Sequence, residues 1–351
     1  MTVKLFSKGE WISALKGAQD SFRIFVPAED NGYHSFFDLK DVIEPDFGFQ
    51  NSRLSPKSIV FPRSERMFEF KVGGDDPEAD ILKEAPKDYS YQAIVGIRPC
   101  DAHGFQIVKR NFDNPEYQDP WWVKRYESTV LVGLGCNNPC STCFCTSVGG
   151  GPFDDTNLDV LLYDLVDRML AKSITDRGMD FLDSLVGGTD AVDADLEQAE
   201  SLSAASGDKM SKNLILLDQL GDKVVTELFE AGFWEEVAFP CINCGTCTFI
   251  CPTCWCFDIQ DENHGSSGCR MRNWDSCMYP LFTAHGSGHN PRDTKLHRVR
   301  QRFMHKLKYY VDKYDTGIQC VGCGRCVRLC PVNIDIRRIC ELMNSHAASK
   351  D

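Results

Sequence analysis

Two cysteine runs of the same pattern constrain this chain more than any other feature of its sequence. Residues 241–252 are CINCGTCTFICP and residues 320–331 are CVGCGRCVRLCP, so all four cysteines, a glycine and the final proline coincide. The pattern C-x2-C-x2-C-x3-C-P is typical of bacterial ferredoxins, in which three closely spaced thiolates bind one [4Fe–4S] cluster. The internal repeat therefore predicts a unit that binds two such clusters.

The fourth cysteine of each run predicts how the ligands are shared, because in two-cluster ferredoxins it binds the other cluster. The expected ligands are Cys241, Cys244, Cys247 and Cys330 for cluster A, and Cys320, Cys323, Cys326 and Cys251 for cluster B. Gly245 and Gly324 are expected to let the backbone approach the sulfurs closely, and backbone N–H groups to tune the potentials. Zinc is the alternative for C-x2-C pairs, but its structural sites use two separated pairs.

Composition excludes several classes of protein. The 351 residues are 42% apolar and 25% charged, which is an ordinary globular composition. The net charge of −13 disfavours a nucleic-acid partner, since phosphate contacts need a basic surface. No apolar run approaches the roughly 20 residues of a transmembrane helix, and the first residues lack the apolar segment of a signal peptide. We expect a cytoplasmic protein whose thiols are reduced rather than joined in disulfides.

A second group of cysteines lies upstream of the two runs. Of the 18 cysteines none precedes Cys100 and five lie between residues 100 and 145. The apolar segments 93–97 and 128–134 are predicted strands, and each leads directly to a cysteine, where open α/β sheets place their sites. We hypothesise a third [4Fe–4S] cluster, with zinc or reduced structural cysteines as alternatives. Its predicted ligands are Cys100, Cys136, Cys143 and Cys145, with Cys140 as a spare.

The pattern along the chain predicts two domains. Residues 1–210 are expected to form an α/β domain that contains the upstream cysteines. Residues 211–351 are expected to form a ferredoxin-like α+β dicluster domain with a helical insertion at 252–319. Apolar spacing predicts a strand at 22–27 and helices at 158–170, 212–234 and 294–311, and the composition of 201–208 indicates a loop or linker.

The insertion contains further cysteines and a basic segment. Cys254, Cys256, Cys269 and Cys277 have irregular spacing and are predicted to be mainly structural, with an additional metal site as the alternative. Cys340 is predicted to pack within the last helix. Seven basic side chains between residues 292 and 308 form either a solvated helix face or a docking patch for an acidic partner.

Several long motifs resemble one known family. These are residues 97–101, 143–152, 251–258, 274–278, 289–292 and 320–336. They are similar to the family that contains the A-subunit of anaerobic sulfite reductase and the beta subunit of sulfhydrogenase, and the similarity extends over roughly residues 20–340. The resemblance implies an iron–sulfur electron-transfer protein with both ferredoxin runs. The upstream pattern also matches at Cys100, Cys136, Cys143 and Cys145, and Cys140 stands where relatives often have another residue.

The function that the resemblance implies is electron relay within an anaerobic multisubunit reductase or hydrogenase. The expected partners are a flavin-containing diaphorase-type subunit that handles NAD(P)H and a terminal catalytic subunit. We predict no catalytic residue in this chain. We also predict no flavin or nucleotide, since no G-x-G-x-x-G fingerprint is present. The alternative is a self-contained reductase of sulfur compounds that uses the upstream cysteine site.

Overall fold

A computed structural model of the protein describes residues 2–73, 77, 79–210 and 214–346. The strands are β1 Val3–Ser7, β2 Arg23–Asp30, β3 Tyr33–Asp38, β4 Ser64–Lys71, β5 Lys83–Glu84, β6 Gln92–Ile97, β7 Thr129–Leu134, β8 Val160–Asp164, β9 Arg168–Ser173, β10 Thr189–Asp190, β11 Phe257–His264 and β12 Ser267–Trp274. The α-helices are α1 Lys8–Gly17, α2 Lys57–Val60, α3 Pro99–Phe112, α4 Pro120–Glu127, α5 Asp176–Ser184, α6 Asp193–Met210, α7 Val225–Glu230, α8 Phe233–Ala238, α9 Thr246–Phe249, α10 Lys295–Met304, α11 Tyr310–Tyr314, α12 Arg325–Arg328 and α13 Ile336–Ser345.

An eight-stranded sheet forms the centre of the N-terminal half, in the order β10-β1-β9-β8-β7-β6-β2-β3. Strands β2, β6, β7 and β8 pair in parallel, and the outer pairs are antiparallel. Every residue of β6 and β7 is buried, because helices cover both faces of the parallel part. One core contains residues of α1 and α5, and the other contains residues of α3 and α4. The mixed α/β class and the strands predicted near 22–27, 93–97 and 128–134 are confirmed.

Two sequence-based predictions for this half of the chain are wrong. Residues 158–170 are not a helix but the antiparallel strands β8 and β9, joined at a turn where Val166 has φ of 78°. A strand buried on both faces has no polar alternation, so its leucines resemble the spacing of a helix. The expected loop at 201–208 is part of α6. Its small residues let the helix approach the upstream cysteines, where Ser206 donates to the Cys136 carbonyl at 2.5 Å.

The insertion also differs from the prediction, because its first part is a β-hairpin rather than helical. Strands β11 and β12 pair along eight residues, and β12 then pairs antiparallel with β4 from the N-terminal half. A buried network closes this junction: Glu65 accepts from Arg125 at 2.6 Å and from Arg272 at 2.5 Å. The predicted boundary between residues 210 and 211 adjoins residues 211–213, which lie outside the described residues.

The C-terminal helices pack around their own apolar core. The segment predicted as a helix at 294–311 consists of α10, one π-helical turn at His305–Tyr309 and α11. The helix predicted at 212–234 is instead divided into short pieces that include α7, and its first two residues are outside the described part. Cys340 is fully buried in α13, as a packing residue would be. Within the described residues no helix has the length and apolar character needed to cross a membrane.

Candidate iron–sulfur sites

The two ferredoxin runs have the same backbone conformation. Asn243 and Gly322, at equivalent positions, have φ of 56° and 63°, and the glycines two residues later have φ of 72° and 70°. Each glycine then begins a short helix, α9 in the first run and α12 in the second. A Cβ on Gly324 would lie 2.5 Å from the Thr142 carbonyl oxygen, and one on Gly245 would lie 2.6 Å from the Tyr279 hydroxyl. Close packing is therefore present at both glycines, but the nearest atoms that a Cβ would meet belong to Tyr279 and Thr142 rather than to the expected sulfurs.

Backbone N–H groups donate to the sulfurs of these runs. The Asn243 N–H donates to the Cys241 sulfur at 3.4 Å, and the Gly322 N–H donates to the Cys320 sulfur at 3.5 Å. The Ile334 N–H donates to the Cys330 sulfur at 3.3 Å. Such contacts stabilise negative charge on sulfur, so the runs are built to hold thiolates.

The four cysteines predicted for cluster A line one cavity. Cys241, Cys244, Cys247 and Cys330 surround it together with apolar side chains that include Met278, Val299 and Phe303. Cys330 comes from the second run, so the crossed arrangement is present in the fold. Burial raises the pKa of Cys247 to about 11, and a bound metal would be needed to hold such a thiol as thiolate at neutral pH.

The four cysteines predicted for cluster B are electrostatic neighbours. Burial raises the pKa of Cys320 and raises that of Cys323 to about 12, and charge on Cys251 acts in the same direction on both. Burial likewise raises the pKa of Cys326, on which Cys320, Cys251 and Cys323 all act. The fourth cysteine of the first run therefore lies among the first three of the second.

The upstream cysteines also line a single cavity. Cys100 is in the first turn of α3, directly after β6, and Cys136 follows the parallel neighbour β7. The members of the group are Cys100, Cys136, Cys140, Cys143 and Cys145. Arg98 fixes the strand ends, since its guanidinium donates to the Leu134 carbonyl at 3.1 Å and to the Gly135 carbonyl at 2.7 Å. The parallel strands thus bring together cysteines that are far apart in sequence.

The protonation of these upstream thiols depends on burial and on one close sulfur pair. Burial raises the pKa of Cys100, Cys136 and Cys140. A hydrogen bond between the two thiols lowers the pKa of Cys143 and raises that of Cys145. Cys140 lines the cavity like the other four, so the geometry does not mark which of the five is the spare.

The upstream loop is bonded to the second ferredoxin run. The Phe144 N–H donates to the Gly322 carbonyl at 2.7 Å, and the Thr142 hydroxyl donates to the Gly324 carbonyl at 3.2 Å. Arg325 of α12 forms a two-bond ion pair with Asp101 of α3, both bonds being 2.7 Å long. These contacts hold the two segments together, and Cys100 and Cys323 line the same cavity.

The three candidate sites follow one another in a fixed order. Cys323, predicted for cluster B, lines the upstream cavity, and Cys326, also predicted for cluster B, lines the cavity of cluster A. The cysteine group of cluster B therefore lies between the other two.

The basic segment of the insertion is largely buried, and this corrects both interpretations drawn from the sequence. Arg298, Arg302, Lys306 and Lys308 are at most 6% exposed. Arg302 lines the cavity of cluster A, and its Nε and Nη2 atoms have no hydrogen-bond partner. Lys57 of α2, which no sequence signal had marked, is also buried and lies near Cys251 and Cys254. Apart from Lys308, which pairs with Asp312 at 2.7 Å, these cations have no acidic partner among the described residues, which suits a site that holds negatively charged clusters.

The described residues contain no group of three or more His, Cys, Asp or Glu side chains close enough to hold one metal ion. The thiols predicted for cluster A and the upstream thiols each line a cavity instead.

Comparison with known proteins agrees with this geometry. The family model of the 4Fe-4S dicluster domain matches residues 240–334. This chain is an iron–sulfur electron-transfer protein. It is 29% identical over 316 residues to sulfhydrogenase 2 subunit beta of Pyrococcus furiosus, an alignment that covers 89% of this chain and 90% of the relative. The family resemblance inferred from the motifs is thus confirmed. No solved structure matches the chain.

Proposed function

We propose that this chain is a relay subunit that transfers electrons through three [4Fe–4S] clusters in series. The observation that supports this most directly is the order of the three cysteine groups. Cys323 and Cys326, which belong to one proposed ligand set, face the cavities on either side. Cluster B would therefore connect the upstream cluster with cluster A.

The proposed ligands are those expected from the sequence. Cluster A takes Cys241, Cys244, Cys247 and Cys330, and cluster B takes Cys320, Cys323, Cys326 and Cys251. The upstream cluster takes Cys100, Cys136, Cys143 and Cys145, with Cys140 as the spare. When bound, each cluster accepts and releases one electron. The residues around it hold the thiolates, exclude water and set its potential through hydrogen bonds and charge.

Buried cations lie beside both the upstream cavity and cluster B. Beside the upstream cavity the Arg325 cation is neutralised by Asp101, whereas Arg98 donates to backbone carbonyls and has no carboxylate partner among the described residues. Near cluster B, Lys306 donates to the Thr253 hydroxyl at 2.7 Å and to the Gln319 carbonyl at 3.1 Å, without a carboxylate in the described part of the chain. We propose that these unneutralised cations favour the more negative, reduced clusters and raise their potentials.

The relay needs a donor and an acceptor, so partners are part of the proposal. The related protein is by its name a subunit of a sulfhydrogenase. For this chain we propose a complex with a flavin-containing subunit that oxidises NAD(P)H and with a terminal reductase or hydrogenase subunit. The chain alone should then be reduced by dithionite but not by NAD(P)H. Direct reduction of the isolated chain by NAD(P)H would contradict the relay assignment.

Iron content tests the upstream cluster. Iron and acid-labile sulfide are measured per chain after purification without oxygen, for the parent chain and for Cys100→Ser. A loss of about four irons is expected, since each cluster contains four. Cys269→Ser is the control, because Cys269 is a partly exposed cysteine of β12 that belongs to none of the proposed ligand sets. An unchanged iron content in Cys100→Ser would confine the relay to the two ferredoxin runs.

A further inference from the structure

Three cysteines outside the proposed ligand sets lie together beside cluster B. Cys254 and Cys256 follow the first ferredoxin run, and Cys277 follows β12. The thiols of Cys256 and Cys277 are hydrogen-bonded to each other. The Asp275 N–H donates to the Cys256 carbonyl at 3.0 Å, which fixes the two segments side by side. The thiol of Cys254 is hydrogen-bonded to that of Cys251.

This segment repeats the local pattern of the upstream site. Residues 251–256 are CPTCWC and residues 140–145 are CSTCFC, so both contain three cysteines, one threonine and one aromatic residue at the same spacing. In the upstream copy the second and third cysteines, Cys143 and Cys145, are proposed ligands. The matching positions in the second copy are Cys254 and Cys256, which suggests the same role.

Buried cations provide an independent observation at this place. Arg302 and Lys57 are 2% and 5% exposed, and no carboxylate among the described residues lies within ion-pair distance of either. Nη1 of Arg302 is 3.6 Å from the Cys254 sulfur, while its Nε and Nη2 have no partner. Nζ of Lys57 donates to the Cys254 carbonyl at 2.6 Å.

Buried charges are stable only when an opposite charge compensates them. Arg302 lines the cavity of cluster A, so clusters A and B supply negative charge near Arg302 and Lys306. Lys57 instead makes its contact with Cys254, so a source of negative charge at Cys254 would compensate Lys57. Thiolates bound to iron are such a source, because metal binding keeps them deprotonated.

We propose that Cys254, Cys256 and Cys277 bind a further iron–sulfur cluster, adjacent to cluster B. Three thiolates bind three irons of a cubane, and the fourth iron takes a solvent molecule. The existence of this site does not depend on the proposed relay function.

The test is metal content and electron paramagnetic resonance of the full chain, purified without oxygen. Cys256→Ser and Cys277→Ser are each expected to lose about four irons and four sulfides, and the dithionite-reduced samples should lose the spin of one cluster. Cys269→Ser is the matched control, since Cys269 is a partly exposed cysteine in β12, paired with Glu262 and away from these thiols. It should retain all its iron.

The possible failures are distinguishable. If both variants keep the iron and spin of the control, or lose zinc instead of iron, the additional cluster does not exist. Cys323→Ser reports on cluster B separately. If Cys323→Ser loses iron and Cys277→Ser loses none, the relay proposal stands and only this inference is overturned. If one variant misfolds, as circular dichroism would reveal, the result of the other variant decides.

Discussion

Replacing Asp101 with Asn is expected to destabilise the connection between the upstream loop and the second ferredoxin run. Asp101 and Arg325 are 1% and 0% exposed and are joined by two bonds of 2.7 Å. Arg325 would keep its bond to the Ser52 carbonyl at 2.9 Å, but its buried charge would lose its carboxylate partner. Removing one partner of a buried pair costs about 3–5 kcal/mol, most of which is the uncompensated charge.

Urea unfolding of the oxygen-free, cluster-loaded chain measures this effect. With a slope of about 3 kcal/mol per molar urea, a loss of 3–5 kcal/mol lowers the apparent midpoint by roughly 1–1.7 M. The matched control is Glu341→Gln, which breaks an exposed pair with Arg338 whose side chains are 61% and 65% exposed. Exposed pairs contribute about 0.2–1 kcal/mol, so the control should shift by less than about 0.3 M.

The double variant Asp101→Asn with Arg325→Gln separates the pair from its surroundings. Because it leaves no buried charge, it is expected to recover part of the stability that Asp101→Asn loses. A midpoint for Asp101→Asn within the range of the exposed control would refute the reasoning. So would a double variant whose loss equals the sum of the two single losses.

Three further outcomes are expected. Gly324→Ala should lower the iron content, because its Cβ would lie 2.5 Å from a backbone oxygen of the upstream loop and because a left-handed backbone costs a residue with a Cβ about 1–2 kcal/mol. Gly9→Ala, whose Cβ would meet no atom within 4 Å, should keep its iron content. Burial raises the pKa of Glu65, but its two arginine partners lower that pKa more. The stabilisation that Glu65 provides should therefore be fully present above a pH of about 4.3 and be lost progressively as the pH falls below that value. An unchanged acid dependence of the melting temperature in Glu65→Gln would contradict this. After iron removal, Cys323, with a pKa of about 12, should be alkylated far more slowly at neutral pH than exposed Cys244, and equal labelling by mass spectrometry would disagree.

The sequence alone determined the chemistry of the dicluster unit. Cysteine spacing is a local property, and a run such as 241–252 can wrap a cubane only with glycine-like conformations at set positions, so the pattern predicts both ligands and backbone. The upstream site was predictable for a related reason. Each of its two strands is continuously apolar and leads directly to a cysteine, and parallel neighbours bring their carboxyl ends together.

Only the tertiary structure decided which charges are buried and which segments meet. The basic residues of α10 and of the π-helical turn look like a solvated face in sequence. Arg302 and Lys306 become buried only when the fold brings cysteines that are distant in sequence close to them. Likewise, β12 joins β4 across nearly two hundred residues of chain, a pairing that no local pattern encodes. The order of the cavities also depends on where Cys323 and Cys326 point after packing. Local spacing determines which atoms bind a cofactor, whereas burial and long-range contact depend on the whole fold.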